Sequence, residues 1–118
     1  MSEPLRLAVL VSGGGTTLQN LLDRCHDGRL PAQVVLVVAS RADAFALERA
    51  RQASVLAVAI ERKAAGSLEE FSRRIFEDCR RERAGLVCLA GFMQLVQVPD
   101  DYLGRVMNIH PADRKSVV

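Results

Sequence analysis

At 118 residues the chain is the size of one ordinary domain. Hydrophobic residues at 49% and charged residues at 25% exclude a disordered chain, and a net charge of +2 is too small to argue for nucleic acid or an acidic membrane as partner. No apolar run approaches the roughly 18 residues of a membrane span, and the start MSEPLRLAVLV, with an acidic residue and no small-residue cleavage site, does not read as a signal peptide.

In chain order, Leu5 to Val11 is an almost continuous apolar run, as expected of a strand covered on both faces. Ser12-Gly13-Gly14-Gly15-Thr16-Thr17 follows. Leu18, Leu21, Leu22 and Cys25 then recur at helical spacing, with Gly28 closing the helix. Strand, glycine-rich turn and helix open a βαβ unit. Val34 to Ala39 predicts a second buried strand. A helix should follow, with Asp43 as N-cap and Phe45, Leu47 and Ala50 available for packing. Val55 to Ile60 predicts a third strand, and Ala64 to Gly66 a loop. Ser67 and Glu70 have capping-box spacing, ahead of a helix with Leu68, Phe71, Ile75, Phe76 and Cys79 on its apolar stripe. Arg73, Arg74, Arg80, Arg81 and Arg83 are expected on its solvated face. Leu86 to Ala90 predicts a fourth strand, Gly91-Phe92-Met93 a turn, Pro99 to Leu103 a short helix and Arg105 to Ile109 a fifth strand. Alternating strands and helices at this spacing indicate an α/β fold with a parallel sheet.

In such sheets ligands bind beyond the carboxyl ends of the strands. Three segments should gather there: the loop after the first strand, Gly91 to Val96, and Asn108 to Pro111. The glycines allow close backbone approach, and the free N–H groups of a helix start favour a phosphate. The loop lacks the third glycine of a dinucleotide fingerprint, since Leu18 stands there, and has no Gly-Lys-Ser/Thr of a P-loop. A small phosphorylated molecule suits it better than a dinucleotide; the alternative is a tight turn with a Thr cap and no ligand. In an extended strand Asn108 and His110 project the same way, about 6 to 7 Å apart. An amide donor beside an imidazole can stabilise an oxyanion and move a proton. The alternative is that Asn108 ends a strand and His110 is a turn residue before Pro111.

The three cysteines, Cys25, Cys79 and Cys88, are odd in number, lack paired metal spacing and fall on apolar stripes. They are expected to be buried free thiols in a reducing compartment. Neither His26 nor His110 has a ligand partner at useful spacing, so no metal is implied.

Together, SGGGTTLQNLL, SRADAFALERARQ, LAGFM and GRVMNIHP, in this order and spacing over residues 5 to about 112, resemble the phosphoribosylglycinamide formyltransferases of purine synthesis. The resemblance implies a Rossmann-like three-layer fold with a mostly parallel sheet. It also implies formyl transfer from 10-formyltetrahydrofolate, a co-substrate, to the amine of 5-phosphoribosylglycinamide, in the cytoplasm and without a metal. Carried over by residue, Gly15, Thr16 and Thr17 match the loop holding the ribonucleotide phosphate. Met93, Gln94, Leu95 and Val96 match the segment lining the folate pocket. Asn108 matches the amide that steadies the oxyanion and also borders the folate, and His110 matches the catalytic imidazole. The implied partners are small-molecule substrates, with a homodimer left open and no nucleic acid or membrane.

Some positions depart from the family pattern. Thr16-Thr17 replace the frequent Ser-Asn, keeping the backbone donors. Gln94 stands where an Arg often follows the Met, and Leu68 lies near the place of a second folate-site Arg, so contacts to the anionic folate tail do not carry over. After His110-Pro111 the family continues into a long second half that includes a catalytic Asp. Here Ala112 to Val118 follow, and Asp113 lies in the wrong segment to be that acid. The expected organisation is an incomplete amino-terminal formyltransferase domain, residues 1–112, truncated after the fifth strand, with a non-matching tail, residues 113–118. Little or no transformylase activity is expected of these residues alone. Rival expectations are a formyltetrahydrofolate deformylase-like hydrolase, a methionyl-tRNA formyltransferase, a non-catalytic phosphate-binding α/β module, and a purely structural or interaction protein.

Overall fold

The computed structural model describes residues 3–109. Five strands, β1 (Leu5–Val11), β2 (Ala32–Ala39), β3 (Leu56–Ala59), β4 (Leu86–Ala90) and β5 (Val106–Ile109), form one sheet in the order β3-β2-β1-β4-β5. Every pairing is parallel. Four helices connect them: α1 (Thr16–His26), α2 (Phe45–Gln52), α3 (Arg62–Ala65) and α4 (Leu68–Arg81), with a 3-10 turn at Asp100–Tyr102. The chain starts at the centre of the sheet, steps outward to β3, and then returns through α4 to place β4 on the other side of β1. Strand order therefore reverses between β1 and β4, which makes their carboxyl ends the topological switch point.

The apolar run of β1 has the double burial expected of it. Leu7, Val9 and Val11 join a core with α1 and α2 that includes Leu18, Leu22, Ala46, Leu47 and Ala50. Ala8 and Leu10 join a second core on the opposite face, with Phe71, Ile75, Phe76 and Cys79 of α4. Burying each of the larger side chains contributes roughly 1.5–3 kcal/mol, so the two helical layers hold the sheet from both sides. Tyr102 completes the second core. Its ring tilts against Phe76 at 5.3 Å and its hydroxyl donates to the Ala84 carbonyl at 2.7 Å. Arg80 grips Asp101 with two bonds of 2.7 and 2.9 Å, so the turn before β5 is tied to α4.

Three local expectations are corrected. Asp43 is not the cap of α2: Ala44 occupies the N-cap with extended backbone and no side-chain bond. The Asp43 carboxylate is engaged in a two-pronged pair with Arg41, both bonds 3.0 Å, and such charge-assisted pairs are stronger than a neutral cap contact. Phe45 does not pack inward; it is 54% exposed beneath the Arg49 guanidinium, and Ala46 takes the buried position. The Ala64 to Gly66 loop is mostly the helical turn α3, closed by Gly66 at φ 91°. The Ser67 cap is formed, accepting from the Glu70 N–H at 3.0 Å. The reciprocal half of the box is not seen, because the Glu70 carboxylate bonds Arg73 and Arg74 instead. Cys79 and Cys88 are buried, and burial pushes their thiols up to about 12 and about 11. Cys25 is half-buried.

Hydrogen bonds from Arg73, and secondarily Arg74, hold Glu70 down at about 2, against an ordinary 4.5. A depressed carboxylate contributes stability above its unfolded pKa and loses it as pH falls through the folded one. Glu70→Gln is therefore expected to flatten the fall in stability between pH 4.5 and about 2, measured by urea unfolding across that range.

Candidate functional site at the carboxyl edge of the sheet

Beyond Val11 the backbone leaves the sheet through buried Ser12 into Gly13, Gly14 and Gly15, and α1 begins at Thr16. Each glycine carbonyl is turned into the protein. Gly13 accepts the Ala46 N–H at 3.2 Å, Gly14 accepts Nε–H of Arg49 at 2.7 Å, and Gly15 accepts the Gln19 N–H at 2.8 Å. In a planar trans peptide the C=O and the following N–H point oppositely, and there is no cis bond here. The N–H groups of Gly14, Gly15 and Thr16 are thereby aimed away from those partners. They join the open N–H groups of the first turn of α1. Gly15 is the N-cap at φ 82° with no side-chain cap bond. Thr16 and Thr17 do not serve as caps, so the Thr-capped turn offered as the alternative is not what the loop forms. Open backbone donors are thus left at a helix start, where the helix dipole favours an anion.

A glycine is required at position 15. A Cβ there would lie 2.7 Å from the Ala46 Cβ and 3.0 Å from the Ala46 Cα, and L side chains strain at that φ. At Gly13 and Gly14 a Cβ would meet nothing within 4 Å, so those positions face open space.

The second predicted segment is tied directly to the first. Ser12 Oγ accepts the Met93 N–H at 2.8 Å and shares a 2.7 Å hydrogen bond with Ser40 Oγ at the end of β2. The carboxyl ends of β1, β2 and β4 are knotted by one buried hydroxyl pair. Phe92 stacks on Phe71 at 6.3 Å, and the Gln97 N–H donates to Ser72 Oγ at 2.8 Å, so the strap from 92 to 97 is pinned at both ends over α4. Between the pins Met93 and Leu95 are each 80% exposed, Gln94 is exposed and Val96 is half-buried in the second core.

Asn108 pairs in register with Leu89. Val106 packs on the α4 face and Ile109 on the opposite face, so strand alternation puts Asn108 on the face covered by the strap. His110 lies outside the described residues, as do Pro111 and the tail 113–118. Ser12, Ser40 and Arg49 are residues that sequence reasoning did not single out. The serines look like ordinary strand ends, and the Arg belongs to a helix 35 positions from the glycine it holds. Two open grooves of about 580 and 680 Å³ lie elsewhere, one between α4 and Gln97–Pro99, the other along α1 near His26 and Gln52. Neither is lined by the glycine loop, the 93–96 segment or Asn108. Among the described residues no group of three or more His, Cys, Asp or Glu could hold a metal, and no helix is long and apolar enough to cross a membrane.

A family model described as formyl transferase matches residues 5–112. The chain is 35% identical over 109 residues to phosphoribosylglycinamide formyltransferase of Haemophilus influenzae, covering 91% of this chain and 51% of that protein. It is 36% identical over 110 residues to the Escherichia coli protein of the same name, covering 92% and 52%. In structure it superposes on glycinamide ribonucleotide transformylase 1 from Symbiobacterium toebii with a TM-score of 0.89 at 42% identity, covering 94% of this chain and 53% of that one. The chain thus spans about half the length of the curated relatives it matches. The Rossmann-like α/β fold is shared with these neighbours; within the described residues the sheet is wholly parallel rather than mostly so.

Two outcomes follow from this geometry. Gly15→Ala is expected to destabilise the protein by about 2–4 kcal/mol through backbone strain and the Ala46 contact, whereas Gly13→Ala and Gly14→Ala stay within about 0.5 kcal/mol of wild type; urea melts distinguish them. Ser12→Ala leaves Ser40 Oγ and the Met93 N–H without this partner and is expected to cost about 1–3 kcal/mol. Faster amide exchange at Met93 would accompany that loss.

Proposed function

The chain belongs to the formyl transferase family, and from that premise we propose that it carries part of the centre that transfers a formyl group from 10-formyltetrahydrofolate to 5-phosphoribosylglycinamide in purine synthesis. The observation that supports this most directly is the glycine loop. Its carbonyls are held inward by Ala46, Arg49 and Gln19, and its neighbouring N–H groups are left for an anion. Gly15, Thr16 and Thr17 would hold the ribonucleotide phosphate. Met93, Gln94, Leu95 and Val96 would line the folate pocket, with Met93 and Leu95 supplying apolar contact. Residues 1–112 make up the formyltransferase portion, and the substrates are soluble small molecules of one-carbon metabolism handled in the cytoplasm without a metal or nucleic acid.

The chemistry follows from the groups at the end of β5. The glycinamide amine attacks the formyl carbon, and the carbonyl oxygen becomes an oxyanion that the Asn108 side-chain N–H stabilises. Collapse breaks the bond from that carbon to N10 of the folate. The amine loses a proton and N10 gains one, giving N-formylglycinamide ribonucleotide and tetrahydrofolate. His110 is the group proposed to deliver the proton to N10. A preorganised amide donor acts on charge that exists only in the transition state, so its effect falls on kcat. The 93–96 segment, bonded through Met93 to Ser12, would set the folate at a defined distance from the phosphate loop.

The test is a formyl-transfer assay on the complete enzyme. Asn108→Ala is expected to lower kcat about 100- to 1000-fold with little change in affinity for the ribonucleotide. Deformylation of 10-formyltetrahydrofolate by water, undiminished when 5-phosphoribosylglycinamide is withheld, would instead identify a deformylase-like hydrolase. Ribonucleotide binding with no response to folate would identify a phosphate-binding module.

A further inference from the structure

Arg49 stands 35 positions from the glycine loop in sequence, yet it reaches into it. Its Nε–H donates to the Gly14 carbonyl at 2.7 Å and its Nη1–H to Oε1 of Gln19 at 3.3 Å. Its guanidinium lies 5.0 Å from the centre of the Phe45 ring. Its Cδ would be 3.3 Å from a Cβ on Gly15, so the arginine stem passes over the space that the glycine leaves empty. A guanidinium with donors engaged on two sides, by Gly14 and by Gln19, and lying over a ring is held in orientation as well as in place. Both oxygens it bonds are neutral, so neither cancels its charge.

We propose that Arg49 is a positioning residue for the glycine loop, holding the Gly14–Gly15 peptide with its carbonyl inward and its N–H toward a bound phosphate. Of the three loop carbonyls, Gly13 and Gly15 are held by backbone groups that any side chain would leave in place. Gly14 alone depends on a side chain. Its glycine flanks make the peptide intrinsically free to rotate, and rotation would aim a carbonyl dipole at the anion instead of a donor. Arg49 removes that freedom before the ligand arrives, which lowers the ordering cost of binding. Its positive charge beside the start of α1 adds to the field that the helix already offers an anion.

This inference rests on the loop being a phosphate site, and the experiment separates the two. Calorimetric titrations on the complete enzyme would compare 5-phosphoribosylglycinamide with its dephosphorylated riboside, for wild type, Arg49→Ala and Arg49→Lys. Thermal melts of the same proteins would accompany them. Wild type is expected to prefer the phosphorylated ligand, and Arg49→Ala to lose at least about tenfold of that preference, the effect of one charge-assisted hydrogen bond. Arg49→Lys keeps the charge and the aliphatic stem over Gly15 but loses the planar group that bonds Gly14 and Gln19 together. It is expected to melt like wild type while recovering less than half of the lost preference. Should Arg49→Ala not fold, Arg49→Lys decides alone. An unchanged preference in a folded variant, or full recovery by Lys, would overturn the assignment to Arg49. Wild type binding both ligands equally would overturn the phosphate role of the loop itself.

Discussion

The position of β1 is the constraint from which the remaining geometry descends. Its side chains are buried alternately in two cores, one under α1 and α2 and one under α4. A strand buried on both faces has no freedom to slip, since a one-residue shift would exchange every side chain between the cores. The carboxyl end of β1 is therefore a rigid point, and the glycine loop leaves from it. β2 and β4 pair on either side of that strand, which delivers Ser40 and the Gly91 turn to the same edge.

What converts an edge into a site is a small set of polar contacts on that apolar frame. The hydroxyl pair Ser12–Ser40 is buried, and its bond from the Met93 N–H joins the ends of three strands. Buried polar groups that are fully paired specify one arrangement, because any other leaves a donor or acceptor unsatisfied. No buried side-chain N or O among the described residues lacks a partner. Surface charge works differently. Arg73, Arg74 and Arg81 of α4 are matched to Glu70, Glu77 and Asp78 about one turn away, and Arg80 to Asp101, which neutralises a face that would otherwise look like a basic patch. Such exposed pairs add little stability; their consequence is that α4 presents no large field to a polyanion.

The apolar side chains on the strap and at the β5 edge belong to the same design. Met93 and Leu95 are exposed while the backbone beneath them is anchored at Phe92 and Gln97. Met107, at 43% exposure, lies on the outer strand of the sheet, and Ile109 packs back onto the first core.

Period and punctuation were legible in the sequence. Five apolar runs with helical stripes between them determined five strands, α1, α2, α4 and their order, because burial on two faces or on one leaves a distinct spacing. Gly15 and the open start of α1 were legible for the same reason: a missing side chain and a missing acceptor are local facts. Only the tertiary structure decided which contacts win when several are possible. Asp43 could cap a helix or pair with Arg41, and Phe45 could pack inward or lie under Arg49; sequence spacing permits both members of each choice. The link from Ser12 to Met93 spans 81 positions, and the Arg49 contact to Gly14 spans 35. Neither leaves a periodic trace, because a hydrogen bond between distant segments depends on where the sheet brings their ends and not on the residues that separate them.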